Sequence, residues 1–139
     1  MINTYVISVE PCAKPRMSRR DQWQKRPCVQ KYWDYKDELR LRLPKDFEMP
    51  ESNYHLIFYI PMPESWSATK KAQMMYTKHQ QTPDKDNLEK GFLDAVCDKD
   101  SYVWDGRVTK YWSETGAIIL RTGLTDIYKE DSWSKLSRN

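Results

Sequence analysis

The residues with types and spacing suited to hydrolytic chemistry are acidic: Asp84 and Asp86 in Pro83-Asp84-Lys85-Asp86-Asn87, and Asp105 in Asp105-Gly106. Pro83 biases Thr82 toward extended backbone. Along extended backbone, residues two apart project to the same side, so Asp84 and Asp86 are expected to present their carboxylates together. Such a pair of oxygen ligands suits a hard divalent cation, and Asp105 is the candidate for a third ligand. An ion held there polarises a phosphodiester, lowers the pKa of a bound water and stabilises the leaving oxygen, which is in-line hydrolysis without a covalent intermediate.

Two neighbours fit the same chemistry. Lys90 lies one helical turn beyond Asp86, where its ammonium can meet a scissile phosphate or hold a carboxylate, and Asn87 can donate to either. A helix start at this point adds unpaired N–H groups that favour anions.

Each residue also has a purely structural reading. Asp86 with Glu89 three residues on has the form of a capping box. Lys90 can pair with Asp86 or Asp94, and Asp-Gly is a favoured type I′ turn. A calcium loop is excluded, because Leu88 fills a ligand position and Glu89 the required glycine. Asp98-Lys99-Asp100 reads as a polar connector, and His79 as a surface loop residue in preference to a phosphate contact.

The elements that must position these side chains follow from pattern. Tyr5 to Val9 and Tyr54 to Ile60 have strand composition and are stopped by prolines, the second expected near the sheet centre. Trp33, Leu39 and Leu43 predict a helix over 31–43 that ends at Pro44. Residues 65–75 predict a short polar helix with Ser67 as its cap, and 76–81 a mobile loop. Leu88, Phe92, Ala95 and Val96 share one helical face after Asp86. Residues 101–104 and 107–112 flank Asp105-Gly106 as a hairpin, and 116–121 add a strand. Strands and helices mix without strict alternation, so the expected fold is α+β, one domain over 1–122 with a mixed sheet packed by helices, followed by a polar tail over 123–139.

Composition narrows the function classes. The chain has 139 residues, a net charge of +3, and six Trp, nine Tyr and three Phe, which fits one aromatic-rich core. No window resembles a membrane span or a signal peptide, so the cytoplasm is the expected location. Cys12, Cys28 and Cys97 have no C-x-x-C spacing and are expected as reduced thiols. Positive charge concentrates in Lys14, Arg16, Arg19, Arg20, Lys25, Arg26 and Lys31, opposed there only by Asp21. Interleaved with Trp23, Tyr32 and Trp33, this arm suits phosphates and unpaired bases, with Lys36, Arg40 and Arg42 as further phosphate candidates.

The ordered pattern Pro83-Asp84-Lys85-Asp86-Asn87-Leu88-Glu89-Lys90, then Leu93-Asp94-Ala95, then Asp105-Gly106-Arg107-Val108 resembles the RusA family of Holliday-junction resolvases. Pro11 with Lys14-Pro15-Arg16 resembles that family's basic segment after its first strand. The resemblance implies metal-binding catalytic roles for Asp84, Asp86 and Asp105, a catalytic role for Lys90, Mg²⁺ or Mn²⁺ as cofactor, and a homodimer that nicks two symmetry-related strands of a four-way DNA junction, in a protein of phage or prophage type. Lys14, Arg16, Arg19, Arg20, Lys25, Arg26 and Asn87 are the expected DNA contacts, with no membrane and no small-molecule cofactor involved. The chain departs from the family pattern at Trp104, where members often carry a second acid, and at Arg107, where they carry glutamine. The alternatives are a non-catalytic DNA-binding or phage regulatory protein on the same fold, and a general branched-DNA nuclease.

Overall fold

The computed structural model describes residues 2–16 and 26–124. The chain runs through β1 (Asn3–Ile7), α1 (Pro27–Arg42), β2 (His55–Pro61), α2 (Ala68–Met74), α3 (Lys85–Val96), a 3₁₀ turn (Asp100–Tyr102), β3 (Arg107–Ser113) and β4 (Ala117–Thr122). The strands form one sheet in the order β1-β4-β2-β3. β4 is antiparallel to both β1 and β2, whereas β2 and β3 are parallel. The α+β fold with a mixed sheet is therefore borne out, and β2 lies inside the sheet as its composition predicts.

Side-chain alternation decides which sheet face is covered. Ile7, Leu56, Phe58, Val108, Ile118 and Leu120 point into the core, where they meet Tyr32, Tyr35 and Leu39 of α1 and Leu88, Phe92 and Ala95 of α3. Leu88 and Phe92 are fully buried, and burial of side chains this size contributes roughly 1.5–3 kcal/mol each. The apolar stripe read from the sequence thus seats α3 on the sheet.

The helices on that face are locked by specific contacts. Tyr32 Oη donates to the Gly91 carbonyl oxygen at 3.1 Å, and Arg40 Nε donates to the Ala95 carbonyl oxygen at 2.9 Å. These contacts advance along α1 and α3 in the same sense. Gly91 has a packing reason to be glycine, since a Cβ there would stand 2.8 Å from the Cys12 carbonyl oxygen. The segment after β1 crosses α3 closely at that point.

Several expectations need correction. Asp105-Gly106 is not a hairpin turn: β3 pairs in parallel with β2, and neither residue has the positive φ that a type I′ turn demands. Residues 76–81 are not a free loop but an extra rung on the outer edge of β3. Tyr76 N donates to Trp112 O, Trp112 N to Thr77 O and His79 N to Lys110 O, at 2.9, 2.9 and 3.0 Å. His79 is 3 % exposed rather than on the surface, with its ring 4.2 Å from that of Trp112. α1 begins four residues earlier than its apolar pattern indicates, with Pro27 in its first turn. Ser67 does cap α2, its Oγ accepting from Lys70 N at 3.1 Å. The three cysteines are free, and among the described residues no helix is long and apolar enough to cross a membrane. The polar tail lies outside the described residues from 125 onward.

Candidate active site

The rung on β3 leads directly into the acidic motif. After His79 the chain passes the Lys110 side chain, whose ammonium donates to the Gln81 and Pro83 carbonyl oxygens at 2.6 and 2.8 Å. Asp84 follows as the residue before α3, with φ −67° and ψ 151°, and its main-chain oxygen accepts from Leu88 N at 3.1 Å. Its carboxylate makes no capping hydrogen bond to the helix. The carboxylate is exposed beside Lys110, whose pKa burial lowers while the charge of Asp84 acts in the opposite direction.

Asp86 lies in the first turn of α3 and is exposed, as is Asn87. Asp84 and Asp86 therefore share a helix start, not the extended run that their spacing suggested. The capping reading of Asp86 also fails, because Asp84 holds the cap position. At this end of α3 the unpaired N–H groups and the macrodipole favour anionic ligands.

Asp105 is held by a different set of contacts. The Tyr54 hydroxyl donates to Glu89 Oε2 on α3 at 2.7 Å, Arg107 N donates to the Tyr54 carbonyl oxygen at 2.9 Å, and a Cβ on Gly106 would overlap the Tyr54 ring. Burial raises the Tyr54 pKa far above its ordinary value, and the Glu89 hydrogen bond, the Glu89 charge and then the charge of Asp105 push the same way. Tyr54 is thus the link between the Asp105 turn and α3. Sequence reading missed both Tyr54 and Glu89. Their partnership spans 35 residues, and Glu89 had a local explanation as half of a capping box.

Lys90 is paired with Asp94, at 3.3 Å, and with Asp100, which ties the 3₁₀ turn to α3. These two carboxylates, and not Asp86, are its ion-pair partners, and they raise its pKa, Asp100 most. Asp94 is shared with Lys14. Burial pushes the Asp94 carboxyl up, but hydrogen bonds and charge from Lys14 and Lys90 outweigh it and hold the group below the ordinary carboxylate value.

Lys14 is engaged with Asp94, and Arg16 is exposed. Arg26 Nη2 donates to the Arg16 carbonyl oxygen at 2.7 Å, which brings together the two ends of the stretch holding Arg19, Arg20 and Lys25. Those three residues lie outside the described residues. Arg40 is occupied by Ala95, Arg42 pairs with Glu38 at 3.0 Å, and the Lys36 ammonium lies 5.6 Å from the Tyr32 ring centroid.

Among the described residues, no group of three or more His, Cys, Asp or Glu side chains is close enough to hold a metal ion. The donor set nonetheless suits a Mg²⁺ ion, which is commonly bound by one or two carboxylates together with water and substrate phosphate. Asp84, free of capping, and Asp86 beside it supply two such carboxylates.

The fold and the site together define a mixed-sheet α+β protein with acidic side chains at the start of a sheet-packed helix. The chain matches the family model described as endodeoxyribonuclease RusA over residues 8–121, and it belongs to that family. No curated protein and no solved structure matches the chain.

Proposed function

We propose that the chain is a divalent-metal-dependent endonuclease that resolves four-way DNA junctions by paired nicks, acting as a homodimer in recombination and repair. The observation that carries this reading is the treatment of Asp84. Lys110 clamps the two carbonyls just before it, while its carboxylate is left out of helix capping at the positive end of α3. An exposed carboxylate on a clamped main chain, left without a capping bond, suits a ligand from outside the chain, and family membership supports DNA cutting.

In this reading Asp84 and Asp86 would hold Mg²⁺ or Mn²⁺, and Asp105, on the turn that Tyr54 supports, would have to close on them to serve as a third carboxylate, because the three do not form one metal-binding group as the chain stands. The bound ion supplies polarisation of the phosphodiester and a water of lowered pKa. The chain's own side chains do the rest. Asn87 and the free N–H groups of the first turn of α3 orient the phosphate, and Lys90, held by Asp94 and Asp100, keeps a positive charge one turn further along. Lys14, Arg16, Arg19, Arg20, Lys25 and Arg26 contact backbone phosphates. A two-fold dimer places two equivalent sites on an approximately two-fold junction, which matches paired cuts.

The test is to incubate a labelled four-way junction and a linear duplex of the same sequence with protein, with and without Mg²⁺. Paired nicks on the junction alone, in Mg²⁺ alone, support the reading. Equal cutting of flaps and forks points to a general branched-DNA nuclease, and binding without cutting in either metal points to a non-catalytic protein.

A further inference from the structure

Trp104 is 69 % exposed and sits one residue before Asp105. Leaving an indole in water forfeits the large burial gain that this side chain normally provides. Chain mobility does not explain the exposure, because the turn that carries Trp104 is pinned along its length. Asp100 is bound to Lys90 of α3, the Tyr102 hydroxyl donates to the Met49 carbonyl oxygen, and Val103 packs against the core. Trp104 N donates to the Glu51 carbonyl oxygen at 3.0 Å, and Gly106 is set against the Tyr54 ring. The backbone is fixed and the ring is held out, with Tyr102, 47 % exposed, two residues away.

The remaining neighbours, Ser101, Asp105, Gly106 and Arg107, are small, polar or charged. This is not the broad apolar patch that a protein partner requires. A rigid aromatic face among polar groups suits a flat π-faced ligand, and every nucleobase offers one. Bases inside a duplex already have both faces covered by stacking, whereas a base freed at a branch point does not.

We infer that Trp104 is a stacking platform for an unpaired nucleobase at the branch point, next to the strand acted on at Asp105. This rests on the junction-cutting reading and deepens it. The ring recognises the junction by its unstacked base, without regard to base identity.

The test is a two-way cycle in EDTA, so that cutting does not intrude. The affinity of the full-length wild type and of Trp104→Ala is measured on an intact junction and on junctions with one abasic site at each nucleotide flanking the branch. Stacking of one base predicts that Trp104→Ala weakens binding of the intact junction about 5- to 150-fold. At one flanking position, base removal then costs the wild type a similar factor and costs Trp104→Ala nothing more, while Trp104→Phe keeps most of the coupling. Losses that multiply at every position overturn the inference, as does a variant that binds like the wild type. A Trp104→Ala chain that sediments as monomer where the wild type is dimeric also overturns it, because the ring would then lie between copies. Cutting of the intact junction by the wild type in Mg²⁺ is scored alongside, so coupling without cutting removes the endonuclease reading and leaves the stacking site standing.

Discussion

The Lys110 ammonium lies 2.8 Å from the carbonyl oxygen of Pro83, so a side chain from the outer strand of the sheet holds the residue immediately before Asp84. A second bond, to Gln81 at 2.6 Å, makes this a clamp on the entry to α3. Lys110→Met should release the clamp and let Asp84 move. Displacements of about 1 Å in a catalytic group can cost about 100-fold, so cutting in Mg²⁺ should fall by roughly 10- to 100-fold with junction affinity preserved. Lys110→Arg should recover part of the rate. Gel-shift and single-turnover assays on the same samples check it, and equal losses of binding and cutting would count against the clamp.

Tyr54 should matter for a related reason. Tyr54→Phe leaves the half-buried Glu89 carboxylate without its donor, at a cost of about 1–3 kcal/mol in stability. Because that bond also anchors the ring against which Gly106 packs, the turn that carries Asp105 should loosen as well. Denaturant unfolding measures the first effect, and an increased Mg²⁺ requirement for cutting measures the second.

Gly91 should tolerate no side chain. A Cβ there meets the Cys12 main chain, so Gly91→Ala should force the segment after β1 away from α3 and destabilise the fold by about 1–3 kcal/mol. Thermal melting checks this, and an unchanged midpoint would show that the crossing is loose.

Acid should weaken the fold through His79. Burial lowers its pKa, and the charge of Lys110 adds to the effect, so the folded protein favours the neutral ring. The unfolded chain takes up the proton nearer the ordinary value of 6.5, so this stability is complete above that pH and is lost as pH falls through the depressed folded value. His55 shifts in the same direction, from burial first and then from Arg107 and Arg121. The melting temperature should therefore drop as pH falls below 6.5, and His79→Phe, which keeps a ring against Trp112, should flatten that slope without abolishing it. An unaltered slope would contradict the assignment.

What the sequence made legible was local periodicity. Leu88, Phe92 and Ala95 announce α3 because helical spacing is written into consecutive residues, and the composition of residues 54–60 announces a strand that does lie inside the sheet. What it concealed depends on distant partners. The Asp105-Gly106 dipeptide has hairpin composition, yet the partner of β3 is β2, some fifty residues earlier and parallel, and no local pattern encodes that choice. Residues 76–81 showed no apolar rhythm because they are held to β3 mainly by backbone hydrogen bonds, which any sequence can make. Asp84 and Asp86 were singled out because they are neighbours in sequence, and that proximity puts both on one helix start. Glu89, Tyr54 and Lys110 were missed because each acts through a side chain or carbonyl that folding brings from elsewhere.

The most direct trial of the carboxylate site is single-turnover cleavage of a four-way junction in Mg²⁺ by the wild type, Asp84→Asn and Asp86→Asn, with junction affinity measured in parallel. Removing a ligand also removes negative charge beside DNA, so both variants should bind at least as well as the wild type while cutting collapses. Cleavage by Asp84→Asn or Asp86→Asn at the wild-type rate would contradict the account.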